Sequence, residues 1–258
     1  MLFRSDASNK ISYDVRRRYV QGHELDGVMN YPLRDSLLAY ILGGDAADFK
    51  QALEGLRENY PPAFYLGLMN SLGTHDTPRI LTVLGAAPDE WNMDKHKKAA
   101  FRLSPDRRER ASALLKLASA VLFCFPGSPT VYYGDEAGLE GFEDPLNRRT
   151  LPWGKLDVSL VSWFAKLGAA RKNSDALQSG GIEYIAANGG LLVFRRTSPG
   201  GDALLCCNRD EAPAEVSLPW SGGLPSDSMG EIKDISLANG TLSVTVPGMT
   251  AGALTINN

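Results

Sequence analysis

The pair His75-Asp76 is the first group in this sequence whose residue types could do chemistry. It stands in the stretch LGTHDTPR, at the end of an apolar run of strand length. A carboxylate and a neutral imidazole can both orient a ligand hydroxyl, and a carboxylate can stabilise a positively charged transition state. The alternative is structural: Asp76 bonds the loop backbone and His75 is buried. The spacing alone leaves both interpretations open.

A second candidate is the loop YYGDEAGLEGFEDPLNRRTLPWG, residues 132–154. It combines carboxylates, arginines and aromatic rings, a mixture suited to a sugar because hydroxyl groups pair with charged donors and acceptors. The alternative is a surface loop whose charges simply pair with one another. The charged residues concerned are Asp135, Glu136, Glu140, Glu143, Asp144, Arg148 and Arg149.

Helices and strands must bring these candidates together. Apolar periodicity predicts helices over about residues 33–42, from an N-cap at Asp45, over 111–125 and over 157–172, and residues 12–20 are compatible with a further, polar helix. Strands are predicted at LDGVM (residues 25–29), FYLGLMNSL (64–72) and PTVYY (129–133). This alternation favours an α/β layer with parallel strands, in which the chemistry lies at the carboxyl ends of the strands. The three predicted strand ends are MNYP, GTHDTPR and YYGDE.

From about residue 175 the pattern changes to period-two alternation between glycine-rich turns, which predicts a small antiparallel β-sandwich. We therefore expect two domains, residues 1–174 and 175–258. The neighbours Cys206 and Cys207 fall in one of these strands. We expect them to pack as core residues, one thiol facing inward and the other outward.

Composition excludes several classes of function. The formal charge of −3 on 258 residues is too small to suggest a nucleic acid or a membrane surface as partner. No apolar run has the length of a membrane span. Three cysteines without a CxxC spacing, and three scattered histidines, disfavour a disulfide framework and a metal site. We expect a cytoplasmic protein without metal or cofactor.

Three blocks of this sequence together resemble the α-amylase family of glycoside hydrolases, family thirteen. They are LDGVMNYPLRDSLLAYI, NSLGTHDTPRILTVLG and GSPTVYYGDEAGLEGFEDPLNRRTLPW. The most similar subgroup contains neopullulanases, cyclomaltodextrinases and maltogenic amylases. The resemblance implies an eight-stranded α/β barrel followed by a β-sandwich. It also implies retaining hydrolysis of α-1,4 and sometimes α-1,6 glucosidic bonds in α-glucan oligosaccharides.

The resemblance also implies roles for four residues. Asp76 matches the family's third catalytic carboxylate, which stabilises the oxocarbenium-like transition state, and His75 matches a neighbour that binds a sugar hydroxyl. Asp144 and Arg148 match a pair that contacts the substrate further along. Thr74 departs from the asparagine or serine of many relatives. Glu136 is expected to orient its loop or to pair with Arg79 or Arg148.

The family's nucleophile and general acid precede everything matched here, since DASNK, from Asp6, resembles the stretch that follows the acid. A substitute pair of Asp76 with Asp135 or Glu136 is disfavoured. We therefore expect the last three strand–helix units of a barrel, inactive alone, lacking its N-terminal half and prone to self-association. The alternative is a non-catalytic carbohydrate-binding or accessory protein, but the aromatic residues after position 175 are few and widely spaced, which disfavours it.

Overall fold

The computed structural model describes residues 27–255, so the helix expected at residues 12–20, Asp6 and the start of LDGVM lie outside the described residues. The helices are α1 Tyr31–Ile41, α2 Ala46–Asn59, α3 Pro62–Leu66, α4 Ile80–Gly85, α5 Lys95–Ala100, α6 Pro105–Cys124, α7 Val158–Lys172 and α8 Asp175–Ser179. The strands are β1 Met69–Ser71, β2 Ser128–Thr130, β3 Gly181–Asn188, β4 Leu191–Ser198, β5 Gly201–Asn208, β6 Ala214–Pro219, β7 Ser226–Asp227, β8 Ile235–Ala238, β9 Thr241–Val246 and β10 Thr250–Thr255.

The helices of the first part begin at the side chains that the sequence marks as caps. Asn30 accepts a hydrogen bond from the backbone of Leu33 at 3.2 Å and starts α1. Asp45 accepts one from Ala47 at 2.8 Å and starts α2, as predicted. Helix α6 begins six residues before the predicted start at Ala111, because Pro105 occupies its first turn, where the missing N–H costs nothing. Within the described residues, no helix is long and apolar enough to cross a membrane.

Strands β1 and β2 form a two-stranded parallel sheet, with Met69 opposite Ser128. Met29 adds an isolated parallel bridge to Met69 on the other side of β1. The predicted strand bounds are wrong in part. The run FYLGLMNSL is helical at its start and a strand only at 69–71, because the proline pair before it begins the short helix α3. Likewise only the first two residues of PTVYY belong to β2, and the rest enters the following loop.

The second part contains two antiparallel sheets, of strand order β3-β4-β5-β10-β7 and β6-β9-β8. One face of the five-stranded sheet shares a core cluster with the first part of the chain, through Phe194 and Leu205 among others. Its other face packs on the three-stranded sheet, through Val193 and Leu204.

Two-sided coverage explains the adjacent cysteines. Cys207 lies in the first core cluster and Cys206 in the second, and both are fully buried. Core packing is therefore confirmed, but the expectation that one thiol faces outward is wrong. Burial raises the pKa of the Cys207 thiol to about 12, so it stays protonated and unreactive at neutral pH.

The two parts of the chain are joined by buried polar contacts. The fully buried Arg196 on β4 donates hydrogen bonds to the carbonyl of Cys124 at the end of α6, at 2.6 Å, and to the carbonyl of Gly180, at 2.7 Å. The hydroxyl of Tyr40 on α1 donates to the carbonyl of Gly190 at 2.7 Å. These contacts fix α1 and the end of α6 against the five-stranded sheet.

Candidate functional site

The three predicted strand ends meet at one edge of the parallel sheet. Because β1 and β2 are parallel, the segments that follow them leave the sheet on the same side. The Tyr31 hydroxyl of the MNYP segment lies 3.5 Å from Thr74 Oγ1 of the GTHDTPR segment. Arg79 of that segment contacts Asp135 of the YYGDE segment. The α/β pattern thus predicted correctly which loops come together.

His75 and Asp76 form an exposed turn directly after β1. Their side chains are 59% and 45% exposed, and His75 Nε2 lies 3.5 Å from Asp76 Oδ1. The structural alternative for this pair required a buried histidine, which is not what is found. Both side chains present polar atoms to solvent, where a ligand can reach them.

The turn is held by short side chains on both of its flanks. The Thr74 backbone N–H donates to Thr77 Oγ1 at 3.0 Å, and the Asp76 N–H donates to Thr74 Oγ1 at 3.2 Å. Thr74, which stands where many relatives carry asparagine or serine, therefore holds the backbone of Asp76 in the turn. Asn147, fully buried, reaches across from the second loop and donates to the carbonyls of His75 at 2.8 Å and Thr77 at 2.9 Å.

Asp144 and Arg148 lie beside this turn. Arg148 Nε donates to Asp144 Oδ1 at 2.9 Å, and Arg148 Nη2 lies 3.9 Å from Asp76 Oδ1. All four predicted site residues, including His75, therefore form one cluster, which we call the exposed cluster. Arg148 is 47% exposed and Asp144 64%. The cluster offers two carboxylates, a guanidinium and an imidazole to solvent, which can donate to and accept from the hydroxyl groups of a sugar.

The other carboxylates of the second loop are structural. Glu140 pairs with Arg108 at 2.5 Å and accepts the backbone N–H of Leu103 at 2.8 Å. Glu143 accepts from the nearly buried Lys98 at 2.7 Å, and this bond lowers its pKa. For these two residues the alternative of ion pairing is correct, but their partners lie outside the loop, on α6 and α5.

Behind the exposed cluster lies a buried ion pair. Arg79 is fully buried between two aromatic rings, its Cζ 4.3 Å from the ring centre of Tyr132 and 4.5 Å from that of Tyr133. Its Nη1 lies 3.3 Å from Asp135 Oδ1 and also donates to the carbonyl of Tyr133. Burial raises the pKa of Asp135 to about 7, against the opposing effect of Arg79.

This arrangement decides between the two roles expected of Glu136. The partner of Arg79 is Asp135, and the partners of Arg148 are Asp144 and Asp76. Glu136 instead accepts the backbone N–H of Gly134 at 2.8 Å, so it orients its own loop. The proposed pairing of Glu136 with an arginine is wrong because the neighbouring carboxylate, one residue earlier, already occupies that position.

Sequence reasoning missed Asn147 and Thr77 as residues that hold the site. The signal for Thr77 was present: a Thr-x-x-Thr pattern around a turn is typical of hydroxyl groups that bond the nearby backbone. Asn147 gave no signal, because its partners lie about 70 residues away in the chain. In the part of the chain that the structure describes, no group of three histidine, cysteine or acidic side chains could hold a metal ion.

The aromatic residues of the antiparallel sheets form no exposed platform. Trp220 is 4% exposed and donates its indole N–H to the carbonyl of Gly223, and Phe194 is fully buried. Among the described residues, the exposed aromatic side chains lie instead in the second loop, where Trp153 is 80% and Tyr133 43% exposed. The alternative of a carbohydrate-binding module in this part is therefore not favoured.

Known proteins match this chain over most of its length. It is 32% identical to an amylopullulanase of Thermoanaerobacterium thermosulfurigenes over 269 aligned residues, which cover 92% of the chain and 14% of that enzyme. It is 32% identical to a cyclomaltodextrinase of Geobacillus thermopakistaniensis, over 78% of the chain and 31% of that enzyme. A debranching enzyme from Nostoc punctiforme has the same fold, with a TM-score of 0.76 at 23% identity, over 93% of the chain and 50% of that structure.

These matches agree with a family model. The chain spans about half of the solved structure and less than a third of either relative, so it corresponds to one region of each. The model described as the catalytic domain of alpha amylase matches residues 8–179, which contain the whole exposed cluster. The chain belongs to the α-amylase family, whose catalytic-domain model covers two thirds of it.

Proposed function

We propose that this chain is the C-terminal portion of a retaining glycoside hydrolase. Its substrates are α-1,4 and sometimes α-1,6 glucosidic bonds in maltooligosaccharides, cyclomaltodextrins, starch or pullulan. The observation that carries the proposal is the exposed cluster, in which Asp76 shares one surface with His75, Asp144 and Arg148. The names of the relatives, amylopullulanase and cyclomaltodextrinase, support the substrate class.

Each residue of the exposed cluster has a role that its environment supports. Asp76 holds sugar hydroxyls and stabilises the positive charge that develops at the sugar ring in the transition state. His75 binds a hydroxyl of the same sugar unit. Arg148, oriented by Asp144, contacts the next sugar, and its charge keeps the Asp76 carboxylate in place.

The nucleophile and the general acid of this reaction come from polypeptide that precedes the matched region. A retaining enzyme needs two carboxyl groups about 5–5.5 Å apart at the bond to be cleaved. The two carboxylates considered as substitutes, Asp135 and Glu136, are engaged in the Arg79 pair and in the loop backbone, and Asp144 is paired with Arg148. The chain alone is therefore inactive.

In architecture, residues 1–174 are the last three strand–helix units of a (β/α)8 barrel, and residues 175–258 are a β-sandwich that covers it. The partner of this chain is then the N-terminal half of the barrel. Two partly exposed apolar side chains support this, Met69 in β1 and Val131 just after β2, at 41% and 37% exposure. Without that half, the same surface leads to self-association.

The test is calorimetric titration with maltoheptaose, with the β-1,4-linked cellopentaose as the ligand of the wrong linkage. Asp76→Asn removes the charge and keeps the shape, and we expect it to weaken maltoheptaose binding about tenfold or more. Glu183→Gln is the matched control, because Glu183 is also exposed and also lies 3.9 Å from an arginine, but on the antiparallel sheet. Equal affinities of wild type and Asp76→Asn would refute the proposal.

Hydrolysis of p-nitrophenyl-α-maltoside and of cyclomaltodextrin tests the second half of the proposal. We expect no turnover from either the wild-type chain or Asp76→Asn. Turnover that disappears in Asp76→Asn would mean that the chain assembles its own nucleophile and acid. The substrate class would then stand and the missing-half proposal would fall.

A further inference from the structure

The buried Asp135 has no role in the exposed cluster, yet it contacts the chain on both sides of the His75-Asp76 turn. On the upstream side it packs against Gly73. A Cβ at that position would lie 2.2 Å from Asp135 Oδ2, so the carboxylate sits directly against the Gly73 backbone. A residue larger than glycine could not adopt this position without displacing the carboxylate.

On the downstream side Asp135 contacts Arg79, three residues after Asp76. Arg79 is also bonded to the second loop through its backbone, because its N–H donates to the carbonyl of Gly141 at 2.9 Å. Among the described residues, its side-chain Nε and Nη2 have no hydrogen-bond partner, so the side chain is linked to the second loop through Asp135, the Tyr133 carbonyl and the two tyrosine rings. Of these, only Asp135 supplies a compensating charge.

We propose that Asp135 is a positioning residue that, together with Arg79, fixes the segment 73–79 and thereby the orientation of Asp76 toward the sugar. The inference rests on the proposed function and deepens it. It assigns to one residue of the second loop the role of positioning the segment 73–79. Asp135 touches no substrate; it acts through the backbone of Gly73 and the side chain of Arg79.

The charge of Asp135 is sensitive to pH near neutrality. Its pKa of about 7 results from burial, which Arg79 and the more distant Arg34 oppose and Glu136 reinforces. Above neutral pH the ionised carboxylate holds Arg79 as an ion pair. Below it the neutral acid is a weaker acceptor, and the segment that carries Asp76 is held less firmly.

The experiment compares the wild type with Asp135→Asn and with a matched control, Glu140→Gln. Glu140 lies in the same loop and is also a nearly buried carboxylate paired with an arginine. Its partner is Arg108, and it does not contact the segment 73–79. Maltoheptaose affinity is measured at about pH 8.5 and about pH 5.5, one to two units on either side of the Asp135 pKa. All three proteins keep the exposed cluster unchanged, so any direct effect of pH on that cluster cancels in their affinity ratios.

We expect Asp135→Asn to bind maltoheptaose about tenfold more weakly than the wild type at the higher pH, and nearly equally at the lower pH. Glu140→Gln is expected to follow the wild type at both. A constant ratio of wild type to Asp135→Asn across pH would indicate a general structural defect and would overturn the proposal. An affinity unchanged at both pH values would also overturn it.

A ligand-free measurement keeps this proposal separate from the proposed function. In the wild type, the NMR amide signals of Gly73 and Thr77 are expected to shift with a step near pH 7 that Glu140→Gln retains and Asp135→Asn loses. If none of the three proteins binds maltoheptaose, the proposed function fails. The NMR step near pH 7 then still decides whether Asp135 has the positioning role. If Asp135→Asn does not fold, absence of the step in the wild type is the result that overturns the proposal.

Discussion

At the scale of single residues, the site depends on two carboxylates with opposite surroundings. Asp76 is half exposed and shares a cluster with Arg148 and His75, so it can meet a ligand without losing much hydration. Asp135 is buried against Gly73 and Arg79, so ionisation costs free energy that the arginine recovers only in part. We propose that Asp76 serves for binding and Asp135 for positioning.

The raised pKa of Asp135 predicts how stability changes with pH. The folded protein holds this proton up to about pH 7, whereas the unfolded chain releases it near the ordinary value of 3.8. Between those values the folded state binds more protons, so the free energy of unfolding falls as pH rises. From about pH 5 to about pH 8 the loss amounts to about 2–3 kcal/mol.

Asp135→Asn has no such proton and should lack this decrease. Urea unfolding of both proteins at the two pH values measures it. We expect the stability of the wild type relative to Asp135→Asn to be lower at the higher pH. A difference that is constant, or that grows with pH, would show that the folded state holds Asp135 as an ion throughout.

At the scale of elements, the sequence predicted the four long described helices α1, α2, α6 and α7, missed the four short ones, and predicted the strands of the first part less well. Helices can be recognised from a 3.6-residue apolar period and from capping residues such as Asp45, and both signals are local in the sequence. A continuous apolar run such as residues 64–72 has no period, so it cannot distinguish a buried helix from a buried strand. The loops that come together were predicted because parallel strands place their carboxyl ends at one edge.

The hydrogen bonds that hold those loops were not predictable, because their partners lie far apart in the chain. Asn147 is the main example: it ties the loop of Arg148 to the turn of His75. Asp135 is another, since nothing near it in sequence shows that Arg79 will occupy the space beside it. Local sequence patterns thus specify which elements form, whereas the geometry of the site depends on contacts between elements that are distant in the sequence.

Asn147→Ala should separate the two loops of the exposed cluster. It removes two hydrogen bonds to the carbonyls of His75 and Thr77, at a cost of about 1–3 kcal/mol in stability. We also expect it to weaken maltoheptaose binding, because Arg148 is no longer held beside Asp76.

Asn208→Ala is the control for this change. Asn208 is also buried and also donates to two carbonyls, those of Ala212 and Val246, but in the antiparallel part. It should reduce stability by a similar amount and leave affinity unchanged. If both variants bind maltoheptaose as the wild type does, Asn147 has no role beyond stability.

At the scale of the whole molecule, the parallel and the antiparallel sheets differ in how completely their faces and edges are covered. The five-stranded antiparallel sheet is packed on both faces. Within residues 27–255 the parallel sheet has two strands and an isolated bridge, and it leaves Met69 and Val131 partly exposed. Unpaired strand edges beside apolar side chains favour association with further strands.

We therefore expect the purified chain to self-associate through the parallel sheet. Light scattering over a range of concentrations should give a mass that rises above that of the monomer. Val131→Lys should reduce this mass by placing a charge at that edge, whereas Leu224→Lys, at an exposed apolar position of the antiparallel part, should not. A monomer at all concentrations would contradict the expectation.

Mapping bound maltoheptaose by NMR would show whether the exposed cluster is the α-glucan site that we propose for this chain. Amide and side-chain signals are followed during titration of the wild-type chain. We predict that the shifts concentrate at His75, Asp76 and Arg148 and disappear in Asp76→Asn. Shifts confined to the antiparallel sheets would instead identify a carbohydrate-binding module there and contradict the account.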